Sequence, residues 1–119
     1  MTTILLVEDN ALLLTMLQSL LEKSGFCVIA CEDGESAIEQ ARHQVIDVML
    51  VDFSMPGLSG LDVVKNLRER HRRACIIGMS IEDRGNCFLA AGADAFLMKP
   101  FYTAELLRLA EARADDRKA

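Results

Sequence analysis

The sequence predicts an α/β domain in which a parallel five-stranded sheet is covered by helices on both faces. Five short apolar runs rich in Val, Ile and Leu alternate with longer segments of helical periodicity, which is the pattern of repeated βα units. Most of these runs are continuously apolar, as is typical of strands buried on both faces. The length of 119 residues is close to the usual size of one domain, so a single core is expected over residues 1–119.

The predicted elements follow one another without a linker or an internal repeat. The strand candidates cover residues 4–8, 26–31, 48–52, 75–80 and 95–98. The helix candidates cover residues 10–24, 35–44, 60–71, 83–91 and 103–114. Gly25 and Gly92 follow helical segments and are predicted to end them, whereas Asp33 and Ser59 are placed to cap the starts of helices.

Composition and charge exclude several classes of protein. A chain with 51% hydrophobic and 26% charged residues is expected to fold. Its net charge of −5 argues against direct binding to nucleic acid or anionic lipid, since both need clustered Lys and Arg. No apolar stretch approaches the roughly 20 residues of a membrane helix, and the first residues lack the basic region of a signal peptide. We therefore expect a cytoplasmic protein that does not contact membranes.

The four cysteines are predicted to be buried thiols in a reducing compartment. Each lies inside an apolar segment, and no pair has Cys-x-x-Cys spacing. Zinc ligation and disulfide formation are therefore less favoured.

Polar side chains follow the ends of four predicted strands. Glu8 and Asp9 end the first, Asp52 the third, Ser80 the fourth and Lys99 the fifth. Because ligands of open α/β sheets bind at the carboxyl ends of the strands, these groups are expected to meet at one edge. Three clustered carboxylates need a cation, and hard oxygen ligands suit Mg²⁺. A lysine opposite them suits a phosphoryl group that a carboxylate nucleophile could accept.

Four stretches of the sequence resemble the response-regulator receiver domain, the phosphoacceptor module of bacterial two-component signalling. They are ILLVEDN at 4–10, VDFSMPGLSG at 51–60, the serine that ends CIIGMS at 75–80, and AAGADAFLMKPF at 90–101. The resemblance covers essentially the whole chain and implies a single-domain receiver with no output domain. It also implies a three-layer, doubly wound (βα)5 flavodoxin-like sandwich with strand order 2-1-3-4-5 and a cis bond between Lys99 and Pro100.

The resemblance assigns the metal and acceptor roles. Asp52 aligns with the aspartate that accepts a phosphoryl group from a phosphohistidine of a histidine kinase or a histidine phosphotransfer protein. Similarity implies that Asp9 and Asp52 bind Mg²⁺ directly, together with the backbone carbonyl of Ser54. Glu8 is expected to act largely through water.

The resemblance also assigns the residues that report phosphorylation. Lys99 aligns with the lysine that pairs with the phosphoryl oxygens, and Ser80 with the hydroxyl residue that bonds one of them. Phe96 aligns with the aromatic switch that turns inward when the hydroxyl moves. The family's members promote only their own phosphorylation and dephosphorylation, so we expect no enzymatic activity on other substrates.

The first helix carries more leucines than one buried stripe needs. The periodicity assigns Leu13, Leu17, Leu20 and Leu21 to the core. Leu12 and Leu14 then fall roughly 90 to 110° from the centre of the stripe. Exposed leucines beside the site predict a docking surface for a helix of the phosphohistidine partner. The structural alternative is that they pack against the sheet or the fifth helix.

Three other functions stay open at this point. The chain could be a receiver excised from a hybrid histidine kinase, since the ILLVEDN opening is common there. It could be a small Mg²⁺-dependent aspartyl-phosphate phosphatase, although no second Asp follows Asp52 as a general acid. A flavodoxin-like cofactor binder would leave the acidic cluster and Lys99 unexplained.

Overall fold

The computed structural model describes residues 1–118 and confirms the predicted alternation of strands and helices. The strands are β1 (Thr3–Val7), β2 (Cys27–Cys31), β3 (Val48–Asp52), β4 (Cys75–Ser80) and β5 (Ala95–Met98). The helices are α1 (Ala11–Lys23), α2 (Gly34–Arg42), α3 (Gly60–Arg70), α4 (Gly85–Ala91) and α5 (Thr103–Lys118). The last three strands have the predicted bounds, and most of the other boundaries differ by one or two residues.

The five strands form one parallel sheet in the order β2-β1-β3-β4-β5, which confirms the expected topology. One apolar cluster fills the space between the sheet and helices α2, α3 and α4, and a second fills the space under α1 and α5. Burial on both faces explains why β1 and β3 are almost wholly apolar. The chain order reverses between β1 and β3, so a crevice opens at their carboxyl ends.

The predicted helix caps are present. Asp33 Oδ1 accepts a hydrogen bond from the Ser36 amide at 2.7 Å, and Ser59 Oγ accepts one from the Asp62 amide at 3.3 Å. Gly92 caps the end of α4 with a φ of +116°, a conformation that side chains disfavour. These local signals place the loops around the crevice where the sequence predicts them.

The prediction that Leu14 is exposed is wrong. Its side chain is only 7% accessible and packs with Leu17 and Leu21 in the cluster under α1 and α5. The buried stripe therefore runs through 14, 17 and 21, which share a face because they are three and four residues apart. Consecutive leucines at 12, 13 and 14 do not define the rotation of the helix. Leu12 is 72% exposed, as expected.

The prediction of four buried cysteines holds fully only for Cys31, because Cys75 is half-buried and the other two are exposed. Cys27 lies exposed on the edge strand β2, and Cys87 lies exposed on α4. Cys31 is buried, and desolvation raises the pKa of its thiol to about 11. In the part of the chain that the structure describes, no helix combines the length and the apolar character needed to cross a membrane.

Candidate functional site

The polar residues at the strand ends converge as predicted. Glu8 and Asp9 follow β1, and Asp52 is the last residue of the neighbouring strand β3. Ligand oxygens of these three carboxylates lie within 4.8 Å of one another. Glu8 and Asp52 are buried, whereas Asp9 is exposed to solvent at the mouth of the crevice. The sheet order thus brings together groups that are more than 40 residues apart in the sequence.

Lys99 lies between two of the carboxylates. Its Nζ donates hydrogen bonds to Glu8 Oε1 and to Asp52 Oδ1, the latter at 2.8 Å. The lysine follows β5, and its own amide donates to the Ser80 carbonyl at 2.7 Å across the sheet edge. The next peptide bond, between Lys99 and Pro100, is cis as the resemblance implies.

The environment shifts the pKa values of all three paired groups. Burial raises the pKa of Asp52 and of Glu8, and the hydrogen bonds from Lys99 oppose this rise without cancelling it. Burial alone would lower the pKa of the Lys99 ammonium, but its hydrogen bonds to Asp52 and Glu8 raise it above the ordinary value. The hydrogen bonds from Lys99 therefore offset only part of the cost of burying these two carboxylates.

The acidic cluster fits Mg²⁺. This ion prefers oxygen ligands and commonly keeps several waters while using one or two protein carboxylates. Glu8, Asp9 and Asp52 supply carboxylate oxygens within a suitable radius, and exposure of Asp9 leaves a side open to water. Ser54 lines the same cleft as Asp52, two residues further along the chain. The chemistry of this donor set agrees with the ligands that the resemblance implies.

The loop of residues 53–59 is fixed at both ends by backbone hydrogen bonds. The Phe53 amide donates to the Met79 carbonyl at 2.8 Å, and the Gly60 amide donates to the Phe53 carbonyl at 2.9 Å. A Cβ at Gly60 would lie 2.2 Å from the Asp52 carbonyl oxygen, so α3 can begin this close to the site only with glycine. These contacts hold the backbone that follows Asp52.

Ser80 is buried at the end of β4, and its hydroxyl already has a partner. Its Oγ accepts a hydrogen bond from the Glu82 amide at 3.1 Å, which shapes the start of the β4–α4 loop. Ser80 lines the same cleft as Asp52 and Lys99. The structure therefore brings it to the site, as predicted.

Phe96 belongs to a row of aromatic rings on the face of the sheet that α2, α3 and α4 cover. Its ring is 5.8 Å from that of Phe88, and the Phe88 ring meets Phe53 edge-on at 6.1 Å. The guanidinium of Arg84 lies 4.6 Å from the centre of the Phe53 ring, while its Nε is buried without a hydrogen-bond partner. This row links the residue after Asp52 to the predicted aromatic switch. Arg84 was not expected from the sequence, which gives no signal for a cation above an aromatic ring.

An apolar cleft of about 790 Å³ adjoins the acidic cluster. Beside the site residues, α1 contributes Leu13, Met16 and Leu20 to its walls, and the segment after β5 contributes Pro100 and Phe101. Met16 is 59% exposed. Leu12, although exposed, does not line this cleft. The apolar surface beside the site is therefore formed by a different face of α1 from the one that the sequence predicts.

The fold and the site define an open parallel α/β domain with an acidic cation site and a lysine at its switch point. The family model for the response regulator receiver domain matches residues 4–111, and the chain belongs to this family. Receiver domains bind Mg²⁺ at an acidic site of this kind.

Individual relatives agree with this assignment. The chain is 39% identical over 112 residues to the transcriptional regulatory protein CpxR of Escherichia coli, which is 90% of this chain but 47% of CpxR. The chain thus spans about half the length of that relative. The receiver domain of sensor histidine kinase PA1611 from Pseudomonas aeruginosa has a TM-score of 0.87 at 33% identity, over 96% of this chain and 98% of that domain. That structure has a magnesium ion coordinated in its active-site cleft.

A receiver domain protein from Methanospirillum hungatei shares the fold with a TM-score of 0.95. The alignment covers 99% of this chain and 97% of that chain, at 21% identity. This similarity confirms the five-stranded CheY-like architecture.

Replacing Asp52 with Asn is expected to raise the Tm of the Mg²⁺-free protein by a few degrees. Folding raises the pKa of Asp52, so the folded chain keeps this proton to a higher pH than the unfolded chain. Stability consequently falls as the pH rises through this range, and at neutral pH the amide removes a destabilising charge. Thermal unfolding in EDTA measures the effect.

The same variant is expected to gain less stability from Mg²⁺ than the wild type, since it loses a ligand carboxylate. Binding at 100 times Kd adds about 2.7 kcal/mol to stability. Asp62→Asn, which changes an exposed carboxylate on α3, is the control and should respond like the wild type. A lower Tm of Asp52→Asn in EDTA, or an undiminished response to Mg²⁺, would contradict the account.

Proposed function

We propose that the chain is the phosphoacceptor switch of a two-component or phosphorelay system, in which Asp52 receives a phosphoryl group from a phosphohistidine. One observation carries the proposal: Asp52 is buried at the end of β3 with Lys99 on one oxygen and two further carboxylates beside it. A carboxylate in this setting is positioned for transfer, and positioning with charge neutralisation supplies most of the catalysis in phosphoryl transfer.

The transfer joins an Asp52 carboxylate oxygen to phosphorus while the phosphorus–nitrogen bond of the phosphohistidine breaks. The imidazole leaves with the bonding electron pair and takes a proton from solvent. The ligands proposed for Mg²⁺ are Glu8, Asp9, Asp52 and the backbone carbonyl of Ser54. When bound, the ion supplies charge neutralisation for the phosphoryl oxygens. Lys99 already contacts Asp52, so its ammonium is within reach of a group on that side chain.

The hydroxyl of Ser80 and the ring of Phe96 are the proposed switch. A phosphoryl group on Asp52 would draw Ser80 Oγ away from the Glu82 amide that it now bonds. Movement of the loop after Ser80 would alter the packing of Phe96 against Phe88 and change the face formed by α4, β5 and α5. The phosphoryl group shifts this equilibrium only if it interacts better with the active state.

The proposed partners are a histidine kinase or a histidine phosphotransfer protein, with a downstream protein bound through the switching face. A stand-alone regulator that acts by protein contact is the first candidate. A receiver excised from a hybrid kinase is the second candidate, favoured by its similarity to a receiver domain of a sensor histidine kinase. In either case we propose that the domain promotes only its own phosphorylation and dephosphorylation and contacts neither nucleic acid nor membrane directly.

Incubation with acetyl phosphate and Mg²⁺ tests the proposal directly. Intact-mass measurement is expected to detect one phosphoryl adduct that is labile to base, because an aspartyl phosphate is an acyl phosphate. The adduct should be absent from Asp52→Asn and retained in Asp62→Asn, and EDTA should suppress it.

Labelling of Asp52→Asn at the wild-type level would refute the assignment of the acceptor. Multiple turnover of an added phosphoester would instead support the phosphatase alternative. Absence of labelling from both acetyl phosphate and a panel of phosphohistidine proteins would refute the phosphoacceptor function itself.

The apolar cleft beside the acidic site is the proposed contact for the partner that carries the phosphohistidine. Met16 on α1 and Phe101 after β5 both line it, and Asp52 lines the same cleft. An amphipathic helix that inserts apolar side chains into such a groove would bring a phosphohistidine on its polar edge to the acceptor. Leu12, which lies outside the cleft, remains a candidate contact at its rim.

Met16→Arg is expected to slow transfer from a phosphohistidine protein that labels the wild type by about tenfold, because loss of an apolar anchor and burial of a charge cost at least 1.4 kcal/mol. Labelling by acetyl phosphate should be unchanged, since that donor needs no docking surface. Val45→Arg is the control, because Val45 is also an exposed apolar residue but lies outside the cleft. Leu12→Arg measures how far the contact extends. Equal losses with both donors would contradict docking at this cleft.

A further inference from the structure

Glu35 connects the first turn of α2 to the β3–α3 loop. Its Oε1 accepts a hydrogen bond from the Leu58 amide at 3.2 Å, across 23 residues of sequence. The carboxylate also lies against Gly57, where a Cβ would come within 2.8 Å of Oε1. Gly57 has a φ of +77°, so the loop turns there in a conformation that favours glycine.

The residue before Glu35 is Gly34, and its packing brings the first turn of α2 close to the β3–α3 loop. A Cβ at Gly34 would lie 2.4 Å from Val63 Cγ2 and 3.2 Å from Leu58 Cβ, so the start of α2 sits directly on this loop. Asp33 caps α2 and holds its first turn in place. The Glu35 carboxylate is therefore presented to the loop from a fixed helix terminus rather than from a mobile segment.

The loop between β3 and α3 needs such a support between its ends. The backbone bonds of Phe53 and Gly60 fix it next to the sheet and at the start of α3. Between these points Ser54, Pro56 and Gly57 are exposed, and the half-buried side chains of Met55 and Leu58 pack against the core. Among the described residues, Glu35 provides the side-chain hydrogen bond to the loop's outer half. A loop tied at its ends and near its middle has fewer accessible conformations.

We propose that Glu35 is a positioning residue for Mg²⁺: by holding the Leu58 amide, it fixes the β3–α3 loop and so the direction of the Ser54 carbonyl. The inference rests on the proposed function, which makes this carbonyl a ligand. Glu35 acts through the loop and does not touch the metal or the acceptor. Preorganisation of a ligand lowers the cost of ordering it on binding.

Three substitutions separate the hydrogen bond from other roles of Glu35. Glu35→Ala removes the acceptor, whereas Glu35→Gln keeps an acceptor oxygen at the same reach and removes the charge. Glu35→Asp keeps the charge at the helix N-terminus but shortens the side chain. Glu39→Ala, one turn later on α2, is the matched control, because Glu39 is exposed and pairs only locally with Arg42 and His43.

Two measurements on the full chain are expected to agree. Amide hydrogen exchange of Leu58 without Mg²⁺ should quicken in the Ala and Asp variants and stay near the wild-type rate in the Gln variant. Calorimetric titration with Mg²⁺ alone should give a Kd about fivefold higher for Ala and Asp, and within about twofold of the wild type for Gln and for Glu39→Ala. Saturating Mg²⁺ should restore labelling of Asp52 by acetyl phosphate in every Glu35 variant.

Faster exchange at Leu58 with an unchanged Mg²⁺ Kd would overturn the inference, since the loop would then move without affecting the metal ligand. Equal Kd values for Ala and Gln would also overturn it, because charge rather than the hydrogen bond would be responsible. Either result leaves the proposed function intact if the wild type binds Mg²⁺ and is labelled. Absence of Mg²⁺ binding to the wild type refutes the metal site itself and the inference with it.

Discussion

The ion pairs of Lys99 with Glu8 and Asp52 make a buried acidic site compatible with a folded domain. Two carboxylates buried at the ends of apolar strands cannot both be ionised without a compensating charge, and the ammonium of Lys99 contacts both of them. The compensation is incomplete, since desolvation still raises the pKa of both acids. We propose that this residual unfavourable charge favours binding of a divalent cation at the cluster.

The strand order of the sheet determines which site residues lie beside one another. Pairing of β1 with β3 places Glu8 and Asp9 beside Asp52, and pairing of β4 with β5 places Ser80 beside Lys99. The ends of four strands thus converge on one edge, although the site residues are spread over the chain. The loops need no regular structure of their own, because backbone bonds to neighbouring strands hold their ends. The same edge opens into the apolar cleft, so the chemistry and the proposed contact for a partner share one entrance.

The sequence predicts the strands and the residues at which the strands end. Apolar runs identify the strands, and the polar residue at each strand end identifies Glu8, Asp52 and Lys99. The rotation of α1 is not predictable in this way, since consecutive leucines satisfy several helical faces and only the packed cluster on this side of the sheet shows that Leu14 is buried. Contacts between distant segments are hidden as well. Nothing in the sequence indicates that Glu35 contacts the Leu58 amide or that Arg84 contacts the Phe53 ring. Both contacts depend on how segments distant in the sequence pack in the fold.

Titration of the Asp52 and Glu8 carboxyl carbons by ¹³C NMR, in wild-type protein and in Lys99→Met without Mg²⁺, tests the central role of Lys99 most directly. We expect both carboxyl pKa values to rise further in the variant, because desolvation remains while the hydrogen bonds that oppose it are lost. Unchanged titration of Asp52 and Glu8 in a folded Lys99→Met protein would contradict the account.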